Sequence, residues 1–89
     1  MIRRNSELLV ALMGAAEEGP IGPELPNHEE ARGLRVSRGV TQTLVARAIG
    51  VTDKTLILWA QGHTPQFLNA VRYRRVLNFL RGLPAVAAA

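Results

Sequence analysis

Cysteine is absent from this chain of 89 residues. Its absence excludes disulfide bonds, thiolate nucleophiles and cysteine-ligated metals, and it suits a protein of the reducing cytoplasm. Aromatic side chains are few, namely Trp59, Phe67, Tyr73 and Phe79. No segment reaches the run of about 18 apolar residues that a membrane span requires, so we expect no membrane partner. With 47% apolar and 20% charged residues, the chain has the composition of one small globular domain.

Acidic side chains are nearly missing from residues 32–89, where Asp53 stands against nine basic side chains and the net charge is +8. Residues 1–31 have the opposite balance, with two arginines, six glutamates and a net charge of −4. Dense positive charge is typical of proteins that bind a polyanion, because each neutralised phosphate releases condensed counterions. A solvated surface that keeps the protein soluble accounts for the charge equally well.

Capping residues and glycines divide the chain into five predicted helices. Ser, Thr, Asn or Asp at a helix start accepts orphan amide hydrogens, and a glycine in a left-handed turn ends the helix. These signals predict a helix from Ser6 that fades between Gly14 and Gly19, followed by helices within Asn27–Gly39, Thr41–Gly50, Thr52–Gly62 and Asn69–Gly82. No stretch alternates as a strand does. We therefore expect an all-α fold, a compact bundle of four to five helices.

Proline and charge place the domain boundaries. Three prolines and two glycines between Gly19 and Asn27 exclude regular structure there. The predicted organisation is an acidic helical arm at residues 1–18, a Pro/Gly linker at 19–26, the main domain at 27–82 and a frayed tail at 83–89.

The predicted arm carries an apolar stripe formed by Leu8, Leu9, Leu12 and Met13. A helix this short is marginal alone in water and must dock on another surface. That surface is the chain's own domain, a second copy of the chain, or an external protein partner. In the second case the four residues are the contact of a homodimer.

The third and fourth predicted helices begin in the same way. An apolar residue precedes each threonine cap, and Val40 pairs with Val45 as Val51 pairs with Leu56, so each entry forms a hydrophobic staple. Only Gly50-Val51-Thr52 separates the two helices, and so short a connection forces them to cross steeply, as in a helix-turn-helix. Ala46 lies at the expected crossing point. The expected shared core consists of Leu44, Ala48, Ile49, Val51, Leu56, Trp59 and Ala60.

These motifs carry a family resemblance. The segments 34–42 (LRVSRGVTQ) and 44–52 (LVARAIGVT), followed by Thr55, Trp59, Gly62 and Pro65, resemble the helix-turn-helix domain of phage repressors, Cro proteins and xenobiotic-response-element regulators. The resemblance covers roughly residues 30–80 and rests on several separated motifs. It implies a lambda-repressor-like bundle that binds double-stranded DNA, commonly as a homodimer on a palindromic site, in the cytoplasm and associated with the nucleoid.

The resemblance also assigns candidate site residues. In the family the second helix of the pair lies in the major groove and reads base edges with residues near its start. The base readers carried over to this sequence are Thr52, Asp53, Lys54, Ile57 and Leu58. Gln42 with Thr41, and the loop residues His63 and Thr64, resemble the family's contacts to the phosphate backbone. Arg35 and Arg38 flank the entry to the motif, where each is either a phosphate contact or part of a solvated basic face.

Three of the candidate base readers depart from the family's polar or basic pattern. Asp53 either accepts a hydrogen bond from a cytosine amino group or only complements the helix dipole. Ile57 and Leu58 meet thymine methyl groups, belong to the core, or form a protein-binding face. Because they continue the apolar run of Leu56 and Trp59, we expect at least one of the two to be exposed.

The sequence therefore predicts a sequence-specific DNA-binding transcriptional regulator, either a repressor, a Cro-like switch or an antitoxin-type control protein. The alternative is a protein-interaction module that keeps the same scaffold and binds a partner through Ile57 and Leu58 or through the N-terminal helix. The sequence shows no nucleophile–base pair and no phosphate loop, so we do not expect an enzyme, and no cofactor is implied. His28 and His63 have no further ligand at metal-binding spacing, so no metal site is predicted.

Overall fold

The computed structural model describes residues 5–86. Across these residues the chain forms five α-helices and no strand, which confirms the all-α prediction. The helices are α1 (Asn5–Glu18), α2 (His28–Ser37), α3 (Gln42–Ile49), α4 (Asp53–Ala60) and α5 (Phe67–Gly82). None of these helices is both long and apolar enough to cross a membrane.

Three of the predicted helix starts are confirmed by side-chain hydrogen bonds. Asn27 Oδ1 accepts from the Glu30 amide at 2.9 Å, and Asn27 Nδ2 donates to Glu30 Oε1 at 3.4 Å. Thr41 Oγ1 accepts from the Leu44 amide at 3.2 Å. Thr52 Oγ1 accepts from the Thr55 amide at 3.3 Å. Each bond satisfies an amide that has no partner in the first helical turn, so these residues fix where α2, α3 and α4 begin.

The predicted start of the last helix is wrong by three residues. The N-cap of helix α5 is Gln66 and not Asn69, and Gln66 makes no side-chain capping bond. The Gln66 carbonyl already accepts from the Ala70 amide at 2.8 Å. Because the backbone alone starts this helix, the capping rule had no side chain to find.

Helix α1 belongs to the same core as the rest of the chain. Leu8, Leu12 and Ala16 are buried in a single cluster with residues of α2 to α5. Of the three docking surfaces considered for this helix, the structure has the chain's own domain, within which Leu8 and Leu12 are 8% and 0% exposed. Leu9 is half-buried against the same core. Met13 remains on the surface, 45% exposed.

The segment between α1 and α2 is irregular, as its prolines predict, but it is held in place. Arg74 donates to the Gly22 carbonyl at 2.8 Å and to the Pro23 carbonyl at 3.0 Å. Leu25 packs on the core. The segment thus lies across α5, and the helices on either side of it share one core.

The start of the tail is also held, contrary to the prediction that residues 83–89 fray. Leu83 packs on the core, and the Val86 amide donates to the Ser37 carbonyl at 2.7 Å. Sequence reasoning missed these contacts because the tail has no charged or aromatic residue to mark them. Residues 87–89 lie outside the described part.

A three-residue turn joins α3 to α4. Gly50 has φ 93°, a left-handed conformation that favours glycine, and the amides of Gly50 and Val51 both donate to the Ala46 carbonyl at 2.9 Å. Ala46 itself is 1% exposed. Of the predicted core, four residues are buried (Leu44, Ala48, Ile49 and Leu56), whereas Val51, Trp59 and Ala60 are half-buried.

Candidate functional site

Helix α4 is anchored by one side and exposes the other. Leu56 is buried, while Thr52, Asp53 and Lys54 at the start of the helix are exposed. Ile57, one turn further on, is 45% exposed, which confirms that at least one member of the aliphatic pair faces solvent. Leu58 is half-buried. Four of the five predicted base readers are therefore exposed, and we call the surface that they form the α4 face: Asp53, Lys54 and Ile57 on the exposed side of the helix, with Thr52 at its N-cap.

Asp53 links the two helices. Its Oδ2 accepts a hydrogen bond from Thr43 Oγ1 at 2.9 Å, so the carboxylate ties the first turn of α4 to the first turn of α3. Its position in the first turn of α4 also complements the positive end of the helix dipole. Asp53 thus has a structural role on this surface, and that role leaves Oδ1 without a hydrogen bond to residues 5–86.

Thr41 and Gln42 lie where α3 begins. Thr41 is exposed, and its hydroxyl oxygen serves as the cap of α3. Gln42 is the first residue of the helix and is half-buried. The unpaired amides of a helix start attract anions, so the position suits the predicted phosphate contact.

Arg38 is occupied elsewhere. Its Nε donates to the Leu80 carbonyl at 3.0 Å and to the Leu83 carbonyl at 3.2 Å, and its Nη1 donates to Ser37 Oγ at 2.7 Å. The guanidinium therefore caps the carboxyl end of α5, where the last carbonyls lack partners within the helix. This use does not fit the predicted phosphate role, and a single sequence gave no sign of a contact that joins residues more than 40 positions apart.

His63 and Thr64 are exposed in the loop between α4 and α5. Gly62 has φ 101°, and the His63 amide donates to the Leu58 carbonyl at 3.1 Å, so the chain turns sharply as α4 ends. These two residues follow the carboxyl end of α4, whereas Lys54 lies in its first turn. The predicted phosphate contacts in this loop and the exposed cation of α4 are thus at opposite ends of the helix.

An open groove runs between α2 and α4, and we call it the α2–α4 groove. It has a volume of about 430 Å³ and is lined by His28, Arg32, Arg35, Gln42, Ile57, Ala60 and Gln61. Two of these residues are arginines, and none carries a carboxylate. Ile57 belongs both to the groove and to the α4 face, so the two surfaces are continuous.

Sequence reasoning missed Arg32. It is exposed on α2, and its side chain makes no hydrogen bond within residues 5–86. Its spacing from His28 and Arg35, four and three residues away, puts the three on one face of α2. That spacing is visible in the sequence, but only the packing of α4 turns this face into a groove wall.

A smaller cavity beside Tyr73 shares five lining residues with the groove, among them Arg35 and Gln42. This cavity holds about 30 Å³, enough for a water molecule but not for a phosphate group. Burial raises the pKa of the Tyr73 phenol, and the positive charge of Arg35 partly opposes that shift. Arg35 Nη1 donates to the Val40 carbonyl at 3.0 Å, which holds the side chain against the floor.

Most arginines of residues 32–86 hold the fold together. Five of them donate to main-chain carbonyls of other segments or turns: Arg35, Arg38, Arg72, Arg74 and Arg75. The remaining basic residues are Arg32, Arg47, Lys54 and Arg81, all exposed. The surface charge that is available to a polyanion is therefore smaller than the count of basic residues suggests, and three of these four cations lie on α2, α3 and α4.

Within residues 5–86 no group of three or more His, Cys, Asp or Glu side chains is arranged to hold a metal ion. No family model matches the sequence, and comparison with curated proteins and with solved structures likewise finds no match.

Proposed function

We propose that the α3–α4 pair is a helix-turn-helix of the lambda-repressor-like kind and that the chain is a sequence-specific double-stranded DNA-binding regulator. In this proposal α4 enters the major groove, Lys54 is its principal base reader, and Ile57 packs on a thymine methyl group. A homodimer on a palindromic site presents two such helices one helical turn of DNA apart.

One observation carries the proposal. Helix α4 is anchored by buried Leu56 and leaves Lys54 and Ile57 exposed, with Thr52 exposed at its N-cap, and Asp53 ties this end of the helix to Thr43 in the first turn of α3. An α-helix with its side chains is about 10–12 Å across and fits the width of the major groove, where the residues near its start reach base edges. The exposed cations Arg32, Arg47 and Lys54 on α2 to α4 supply the matching positive charge.

The test of this role is the substitution Lys54→Ala. We expect it to lower affinity for the preferred duplex by about 10-fold, because a side-chain contact to a base edge contributes roughly 1–3 kcal/mol. The control is Arg81→Ala, which removes an equally exposed positive charge from the carboxyl end of α5. If both variants lost the same affinity for the preferred duplex, Lys54 would act only as one of several surface charges and would not be a base reader.

The second candidate function is a protein-interaction module on the same scaffold. The exposed apolar side chains favour it, since Ile57 is 45% exposed, Phe67 84% and Leu68 57%. The substitution Ile57→Ser separates the two functions. A DNA reader loses affinity for its preferred duplex, whereas an interaction module loses a protein partner and keeps the DNA affinity of the unchanged chain.

A further inference from the structure

The α2–α4 groove is lined by positive charge and has no carboxylate among its lining residues. Arg32 stands on its wall and is exposed, while Arg35 lies at its floor, fixed by the Val40 carbonyl. Gln42, the first residue of α3, also lines the groove. The groove thus combines an exposed cation, an amide side chain and the start of a helix, which are groups that bind a phosphodiester, and Arg35 adds positive potential from within the fold.

We infer that the α2–α4 groove holds the sugar–phosphate backbone of the duplex and that Arg32 is a principal backbone contact. The inference rests on the proposed function and extends it, because it assigns the phosphate contact on the α2 side of the site to Arg32 and not to Arg38. Arg38 is committed to the end of α5, through the Leu80 and Leu83 carbonyls.

The α2–α4 groove is continuous with the α4 face, and this indicates which edge of the DNA major groove lies against α2. Ile57 lines the groove and also stands on the α4 face, so a duplex whose major groove receives α4 brings one edge of that groove against α2. The phosphates follow that edge, on the side of Arg32 and Gln42. His63 and Thr64 lie beyond the carboxyl end of α4, at the other end of the helix from Lys54.

The chemistry of a phosphate contact predicts how affinity and its salt dependence change when Arg32 is replaced. A cation that neutralises one phosphate gives affinity without sequence preference, and its removal lowers the salt dependence by the release of about one counterion. Arg32→Gln should therefore weaken binding to the preferred duplex and to an unrelated duplex by the same factor, about 3- to 10-fold. The slope of log affinity against log salt should become shallower by about one.

The experiment titrates two labelled duplexes, the preferred one and an unrelated one of equal length, with the full chain and three variants at several salt concentrations. Arg32→Gln removes the charge in the groove, Arg32→Lys restores it, and Arg81→Gln removes the same charge from the last turn of α5, outside the groove lining. Arg32 is exposed, so a thermal unfolding curve should show that the variants remain folded. We expect Arg32→Lys to recover most of the slope and Arg81→Gln to leave affinity and slope near those of the unchanged chain.

Three outcomes overturn the inference, and they are distinguishable. Equal effects of Arg32→Gln and Arg81→Gln exclude a groove contact while leaving DNA binding intact. A larger loss on the preferred duplex than on the unrelated one makes Arg32 a base reader and not a backbone contact. Failure of the unchanged chain to bind either duplex ends the proposed function itself, and the inference with it.

Discussion

Shortening Leu12 to alanine is expected to lower the free energy of unfolding by about 2–5 kcal/mol, the usual cost when a buried leucine leaves a cavity. Leu12 is 0% exposed and lies in the same core cluster as Val45, Ile49 and Leu77. The loss is expected because helix α1 packs on α3 and α5 and Leu12 is part of their shared core. A cavity at Leu12 therefore removes packing contacts within that core. Urea unfolding followed by circular dichroism measures the change.

The matched control is Val10→Ala on the same helix. Val10 is 69% exposed, so its shortening should alter the free energy of unfolding by less than about 0.5 kcal/mol. If the two substitutions had equally small effects, α1 would not be packed on its own domain. The arrangement in which α1 docks on a second copy would then have to be considered again.

Binding to duplex DNA is expected to weaken by about 10³-fold between 50 and 200 mM monovalent salt. Helices α2 to α4 carry three exposed cations: Arg32, Arg47 and Lys54. A homodimer has six such cations. Six neutralised phosphates give a slope of about −5 in a plot of log affinity against log salt, because each releases close to one counterion. Fluorescence anisotropy with a labelled duplex measures the slope directly.

The same titration with a monomeric form gives about half that slope, so the measurement also reports how many copies contact the duplex. A flat response would contradict the account, because phosphate contacts from α2 to α4 cannot form without releasing counterions. The five arginines that hold main-chain carbonyls contribute little to the slope, since each already has partners within the fold.

Helix starts were predictable wherever a side chain marks them. Asn27, Thr41 and Thr52 each accept the amide hydrogen that the capping rule assigns to them. The turn at Gly50 was predictable for the same reason, because only glycine adopts a φ of 93° without strain. The start of α5 was not predictable in this way, since Gln66 makes no side-chain capping bond.

Contacts between distant segments were beyond what a single sequence reveals. The sequence shows that α1 has an apolar stripe, but not which surface receives Leu8 and Leu12. It shows that Arg38 is basic, but not that the Leu80 carbonyl lies 3.0 Å from its Nε. An arginine that caps a helix and an arginine that faces solvent are identical in the sequence, and only tertiary packing distinguishes Arg38 from Arg32.

The site was predictable in composition more than in arrangement. The exposed α4 face contains four of the five residues expected there, and Leu58 is the one that turns partly inward. The groove beside it could not be predicted from the sequence, because it forms only where Arg32 and Arg35 of α2 lie opposite Ile57 of α4 and Gln61 just after that helix.

The most direct test of the central proposal is a selection of bound sequences from a pool of random duplexes, made with the purified full chain and with its Lys54→Ala variant. We predict that the full chain enriches one palindromic motif and that the variant recovers the same motif with one base position relaxed in each half-site. Recovery of no motif by the full chain, or of an unchanged motif by the variant, would contradict base reading by α4.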